Sequence, residues 1–326
     1  MKVCIVGAGA IGGFIGTRLA LAGPSEVSVL ARGATLSAIR QNGLRLREGG
    51  VLRAAPVRTS ASAADLGPQD LVIIAVKGPA LAEVAAQLTP LLSDNTIVLP
   101  AMNGVPWWFG AGQPAMGSAP LHSVDPGGRI GQAIDVRRVL GCVVHASTST
   151  SEPGLVEHKM GQGLIVGEAL GGTSQRAQAV AALLQAAGFD TTLSADVRRD
   201  IWYKLWGNMT MNPLTAITGA TVDRVLDEPL TREFCTRAMS EAAAVGARIG
   251  CAIDQSPEDR HQITRKLGAF KTSMLQDVEA GRPIELDALV TVVQEIAQRV
   301  GVDTPFINAL LGLARLHGRV HGLYPA

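Results

Sequence analysis

Charge is scarce in this chain. Asp, Glu, Lys and Arg make up only 17% of its 326 residues, and 29 basic side chains offset 28 acidic ones to a formal net charge of +1. With no bulk field of either sign, neither nucleic acid nor an anionic membrane surface is an expected partner. Aromatic residues are few as well, at 4%, and no basic stripe stands out that would track a nucleic-acid backbone. Four cysteines, Cys4, Cys142, Cys235 and Cys251, lie far apart and form no C-x-x-C pair. That spacing excludes the common zinc sites and suits buried thiols in a reducing cytoplasm. The six histidines are scattered, so no metal is expected. No segment reaches the roughly 18 uninterrupted apolar residues of a membrane span. The N-terminus imitates a secretory signal, with Lys2, an apolar run and then "LALAG". Gly7, Gly9, Gly12, Gly13 and Gly16 interrupt that run and ask for another explanation.

Apolar residues, in contrast, are plentiful at 47%. A chain of this length exceeds what one core usually organises, so two domains are expected. Up to residue 195, short apolar runs alternate with helical stretches. "KVCIV" (2–6), "EVSVL" (26–30), "DLVIIAV" (70–76) and "TIVLP" (96–100) read as buried strands, with helices at 10–22 and 79–92. Fully apolar strands separated by helices predict a parallel sheet covered on both faces. Further strands are expected at 139–147, 154–159 and 163–168, with a helix at 174–187. Residues 105–138, rich in Gly and Pro, read as one long loop. From 196 to 326 the periodicity becomes helical, over 196–217, 228–250, 257–280, 285–300 and 304–317. Pro257, Pro283 and Pro305 stand near helix starts, where a missing N–H costs little. The expected fold is therefore α/β: an N-terminal Rossmann-type domain (1–195) followed by a mostly helical domain (196–326) that carries substrate and catalytic residues.

The glycines have a chemical reason. In "VCIVGAGAIGG", Gly7, Gly9 and Gly12 keep G-x-G-x-x-G spacing between a strand and a helix that begins with Ala10 and Ile11. The first glycine permits the tight turn, the second lets a pyrophosphate approach the backbone, and the third lets helix and strand pack closely. After the second strand no carboxylate is present to bond a ribose 2′-hydroxyl, and Arg32 arrives instead. A guanidinium there suits a 2′-phosphate, which favours NADPH over NADH. Lys77 and Asn103 follow later strands, on the edge where ligands of such sheets bind. Lys77 is suited to a phosphate or carboxylate, and Asn103 to a ribose or substrate hydroxyl.

In the second half, "WYKLWGNMTMNPLTAITG" (202–219) carries a single charge. Lys204, Asn208 and Asn212 recur at steps of four and so share one helical face. A nearly uncharged helix with one ammonium and two carboxamides reads as a cleft wall. Pro213 is expected to kink or end that helix. Ser273 lies on a later helix. Glu285, after Pro283, is expected in the first turn of the next one, where the helix dipole favours a carboxylate; it is also a candidate partner for Lys204.

Taken in order, "GAGAIGG", Arg32, Lys77 in "AVK", Asn103 in "NG", "KxxxNxxxNPLTA" at 204–216 and "TSMLQDxxxGRPIELD" at 272–287 cover nearly the whole chain. Their sequence resembles the ketopantoate reductase (2-dehydropantoate 2-reductase) family. The resemblance implies NADPH-dependent reduction of 2-dehydropantoate to pantoate, in a cleft between a Rossmann domain and a helical domain. By the family pattern Lys204 is the general acid, and Asn208, Ser273 and Glu285 line the substrate with Asn212 supporting, while Asn103 and Lys77 lie beside cofactor and substrate. In the reaction, Glu285 is expected to orient Lys204 or hold a substrate hydroxyl. Three departures stand out. Met102 replaces the usual Gln before Asn103, Val222 stands where the family often has another substrate asparagine, and the 105–138 segment is longer than in compact members. They keep open a different branched or bulky 2-oxo acid as substrate. A protein that senses NADPH without turnover is a further alternative, disfavoured by the intact Lys204, Ser273 and Glu285. The apolar C-terminal helices are compatible with a homodimer.

Overall fold

The computed structural model describes residues 1–325. By packing, the chain forms two compact units. One holds Met1–Trp108 with Gly128–Asp200, and the other Phe109–Gly127 with Ile201–Ala326. Part of the segment expected to be one loop, 109–127, thus belongs with the helices rather than with the sheets. Its remainder contains a short helix, Arg129–Ala133.

In the first unit, five parallel strands form one sheet: β1 (Lys2–Val6), β2 (Glu26–Leu30), β5 (Arg58–Ser60), β6 (Gln69–Ile74) and β7 (Leu92–Pro100). The spatial order is β5-β2-β1-β6-β7. Chain order therefore reverses on either side of β1, which makes the β1/β6 edge the switch point where ligands of such sheets bind. A second sheet was not expected from the sequence in this form. It contains β3 (Leu44–Glu48), β4 (Val51–Ala55), β8 (Leu140–Glu152), β9 (Leu155–Glu168) and β10 (Asp190–Ser194). The two strands expected at 154–159 and 163–168 are one continuous β9, antiparallel to β8 through the turn at Gly154. Strands β3 and β4 carry Arg45, Arg47 and Arg53, and β4 is mostly exposed, so they lack the fully apolar runs that marked the others.

Helix α1 (Ala10–Ala22) lies between the two sheets. Gly16 faces Ile5 of the first and Leu44 of the second, and Gly13 faces Val156 of β9. A helix covered on both sides cannot be amphipathic. Its buried residues run without a break from Gly12 to Thr17, and small residues give it room. The core of this unit joins Phe14, Ile15 and Leu19 to apolar residues of both sheets.

The second unit is helical. A long α-helix, Val197–Thr218, enters it after Asp200. Pro213 lies inside that helix, which continues for five more residues, so of the two expected outcomes, a kink or an end, the helix does not end there. Pro213 has no N–H to offer the Met209 carbonyl, and burial of the surrounding turn outweighs that loss: Met209 and Met211 to Ala216 are all buried. Trp202 and Trp206 anchor the helix, each buried to within 1% and donating its indole N–H to a carbonyl of the Pro229–Arg248 helix, Ala242 at 3.2 Å and Met239 at 2.7 Å.

Two of the remaining helical stretches are broken up relative to periodicity, while the last helix runs three residues further. The stretch 257–280 splits into Pro257–Arg265 and Ser273–Glu279. The stretch 285–300 opens with a wide π-type turn over Asp287–Thr291 before the helix Val292–Val300, and Pro305–Val320 closes the fold.

Segment 109–127 is tied into this unit at particular points. Phe109 stacks on Trp202. Glu295 accepts the backbone N–H groups of His122 and Ser123 at 2.8 Å, and Arg299 donates to the carbonyls of Ala119 and Pro120.

Candidate active site

Register decides the geometry of the nucleotide edge. Val6 pairs with Leu30 on one side and Ile74 on the other, and Ile74 pairs with Pro100. Strands β1, β2, β6 and β7 therefore end level. The residues that follow, Gly7, Arg32, Lys77 and Asn103, all leave the same edge of the sheet. The sequence-based expectation for these four holds in that respect.

At the first of these ends the loop is shaped for close backbone approach. Gly7 has φ +90° and its N–H bonds to the Leu30 carbonyl at 3.1 Å. A Cβ there would also meet Val76 at 2.6 Å. One at Gly12 would collide with the Gly7 carbonyl oxygen, so the turn at Gly7 requires the helix start to lack a side chain at Gly12. Gly9 differs: a Cβ there would meet no heavy atom within 4 Å, and the residue is exposed. It is the cap of α1 and has no side chain to accept from the first-turn N–H groups, and no acid lies in that turn. Those N–H groups, with the half-buried Ala10 and Ile11 beside them, face outward at the positive end of the helix. The donor set fits a pyrophosphate.

Arg32 follows β2 by two residues and caps the next helix, Gly33–Asn42, with extended backbone. Its guanidinium donates to Glu83 Oε1 at 2.6 Å and to Gln87 Oε1 at 2.9 Å. These two partners come from the helix Gly78–Ala85 and the turn after it, and sequence reasoning did not find them. The hydrogen bond and charge of Arg32 hold the Glu83 carboxyl below the usual carboxylate range. Lys77 caps that same helix. Both Lys77 and Asn103 are half-buried.

In the helical unit the expected stripe exists. Lys204 and Asn208 are half-buried, and Asn212 is buried at 5% exposure, all on one face of the Val197–Thr218 helix. Lys204 is the only charged residue between Asp200 and Asp223. Beside the stripe, Gly207 leaves room for the Arg260 side chain, which lies over the Tyr203 ring at 4.8 Å. One turn beyond Asn212, Thr215 Oγ1 meets Thr272 Oγ1 at 2.6 Å. Thr272 caps the helix that starts at Ser273, so this bond brings the exposed Ser273 to the same end of the long helix. No spacing rule links Thr215 to Thr272, 57 residues apart.

Glu285 is not in a helix. It lies two residues before the π-type turn, with Ile284 and Leu286 buried on either side, the Ile284 N–H bonded to the Leu323 carbonyl at 3.0 Å and Leu286 already in helical backbone. No helix starts at Pro283. Glu285 itself is half-buried. Val222 is a core residue, 1% exposed and packed with Met211, Leu214 and Leu310. Among the described residues, no group of three His, Cys, Asp or Glu could hold a metal ion.

Residues 3–171 match the family model described as ketopantoate reductase PanE/ApbA, and residues 196–318 match that of its C-terminal part. The chain belongs to the ketopantoate reductase family. Among curated relatives, the 2-dehydropantoate 2-reductase of Mesorhizobium japonicum is 43% identical over 99% of this chain and all of its own. A crystal structure from Ralstonia solanacearum MolK2 superposes with TM-score 0.95 at 56% identity, covering 99% of both chains. The 2-dehydropantoate 2-reductase of Geobacter metallireducens GS-15 gives TM-score 0.85 at 27% identity, over 97% of this chain and 99% of its own. D-mandelate dehydrogenase, at 20% identity and TM-score 0.84, shares the fold alone.

Proposed function

We propose that this chain reduces 2-dehydropantoate to pantoate with NADPH, in pantothenate and coenzyme A synthesis. The full-length likeness to the M. japonicum reductase carries this reading. The level strand ends and the Lys204 stripe support it. When bound, NADPH supplies hydride to the ketone carbon. The chain's own residues supply the rest. The N–H groups at the start of α1 hold the pyrophosphate, with Gly9 leaving them open. Arg32 holds the 2′-phosphate, and Lys77 and Asn103 hold groups nearer the reacting end. Negative charge gathers on the ketone oxygen as its carbon takes hydride. The Lys204 ammonium stabilises that charge and transfers a proton to the oxygen. Asn208 and Ser273 orient the substrate, Asn212 supports them, and Glu285 orients Lys204 or accepts a substrate hydroxyl. The four cysteines are buried and form no disulfide, and no helix among the described residues is long and apolar enough to cross a membrane. Both suit a reaction carried out in the cytoplasm.

Lys204→Ala tests the assignment. Loss of a general acid costs about 10²–10⁴ in turnover, so kcat is expected to fall by that factor while NADPH binding, read by quenching of protein fluorescence, is kept. Unchanged kcat would remove Lys204 from the chemistry. A second reading, reduction of a different branched or bulky 2-oxo acid, is favoured by Val222, which faces the core where relatives often place a substrate asparagine. Assay of a panel of 2-oxo acids with NADPH separates the two. Highest kcat/KM for 2-dehydropantoate supports the first reading, and a clear preference for another acid replaces it. Cofactor oxidation with none of them would leave only NADPH sensing.

A further inference from the structure

Arg32 is held by two side chains of opposite character. Glu83 takes one guanidinium nitrogen and Gln87 the other. Among the described residues these are its only side-chain partners. The Arg32–Glu83 pair lies in water, with side chains 54% and 64% exposed, so it contributes little to the stability of the fold. Its position matters more. It sits at the end of β2, where a dinucleotide's adenosine ribose is recognised in sheets of this type. A 2′-phosphate brings up to two negative charges to the N–H groups that Glu83 already occupies. Two anions then compete for one guanidinium, and they repel each other. Gln87 presents a neutral carbonyl oxygen and can stay bonded while the phosphate arrives. NADH, with a 2′-hydroxyl, carries no charge to oppose Glu83 and has a proton to donate to it.

We propose that Glu83 is an internal competitor for the cofactor's 2′-phosphate and that Gln87 is the positioning residue that keeps Arg32 aimed at it. Together they set how strongly the protein prefers NADPH to NADH. The proposal rests on the reading of Arg32 as the 2′-phosphate residue. It adds a consequence that reading does not contain: two neighbours of Arg32, one helical turn apart, act with opposite sign.

Dissociation constants for NADPH and NADH decide it, measured by fluorescence titration on the full chain and its Glu83→Gln, Gln87→Ala and Arg32→Ala variants. Glu83→Gln keeps an acceptor for Arg32 and removes only the charge. It is expected to tighten NADPH by up to about fivefold, the upper end for one exposed ion pair, and to leave NADH unchanged or weaker. Gln87→Ala is expected to weaken NADPH by about the same factor with NADH unmoved. A merely structural role for either residue would shift both cofactors together. If Arg32→Ala weakens NADPH far more than NADH but Glu83→Gln leaves the ratio of the two constants unchanged, competition is overturned and the Arg32 reading stands. If Arg32→Ala weakens both equally, the Arg32 reading fails and this proposal falls with it.

Discussion

At Gly12 an added methyl group would run into the carbonyl oxygen of Gly7, a backbone atom that cannot swing away. Gly12→Ala therefore has to move the start of α1 or the turn before it. The expected cost is about 1–3 kcal/mol of stability, as for other forced overpacking, with NADPH binding lost by more than tenfold because the first-turn N–H groups shift with the helix. Denaturant unfolding and cofactor titration of one variant check both. Gly9→Ala is the control within the same motif. Nothing packs where its methyl would go, so the fold should keep its stability while the approach to the backbone narrows. Equal unfolding midpoints for Gly12→Ala and the parent chain would contradict the account of the loop. These glycines were legible as a motif because spacing alone encodes the turn. Glu83 and Gln87 were not, since an exposed Glu on a short helix and an exposed Gln in the turn after it look like ordinary solvated residues until the fold places them against Arg32.

Among the elements, the helix Val292–Val300 has a task beyond packing. Glu295 receives Ser123 and His122 and is paired with Arg299. Burial pushes its carboxyl pKa up, and the hydrogen bonds from Ser123, His122 and Arg299 outweigh that and hold it below the ordinary value of 4.5. A depressed carboxylate contributes stability that is fully present above the unfolded pKa and is lost as pH falls through the folded one. Segment 109–127 should therefore stay anchored at neutral pH and loosen below about 4.5. An acid-active protease should nick it faster in that range. Glu295→Ala should bring the nicking to pH 7, at a cost of about 1–3 kcal/mol for the abandoned donors. A cleavage rate that ignores both pH and the substitution would mean the segment is held by other contacts. Periodicity found the helices that bear buried apolar stripes. It missed the segment 109–127 because what holds it lies far away in sequence: Trp202 against Phe109, and one carboxylate and one guanidinium, 172 or more residues away, at 119–123. Pro213 misled in the other direction. Local chemistry argues for a break, and the buried turns on both sides of it keep the helix whole.

For the whole molecule, cofactor binding should appear as stability. A ligand that binds only the folded state at about 100 times its dissociation constant adds about 2.7 kcal/mol, which for units of this size raises the midpoint of thermal unfolding by about 5–10 °C. NADPH should produce that shift in the parent chain and a much smaller one in Arg32→Ala at the same concentration. Equal shifts would detach Arg32 from the cofactor. The amino-acid sequence by itself determined the parallel strands, the glycine loop with Arg32 after it, and the stripe of Lys204, Asn208 and Asn212. Each is a local matter, written in periodicity, in glycine spacing or in the 100° step of a helix. Tertiary structure alone decided that α1 is covered by a second sheet, that Val222 faces the core, that Glu285 lies outside any helix, and that Glu83 and Gln87 meet Arg32. Those outcomes depend on which surfaces far apart in sequence come to share a boundary, and no local pattern records that.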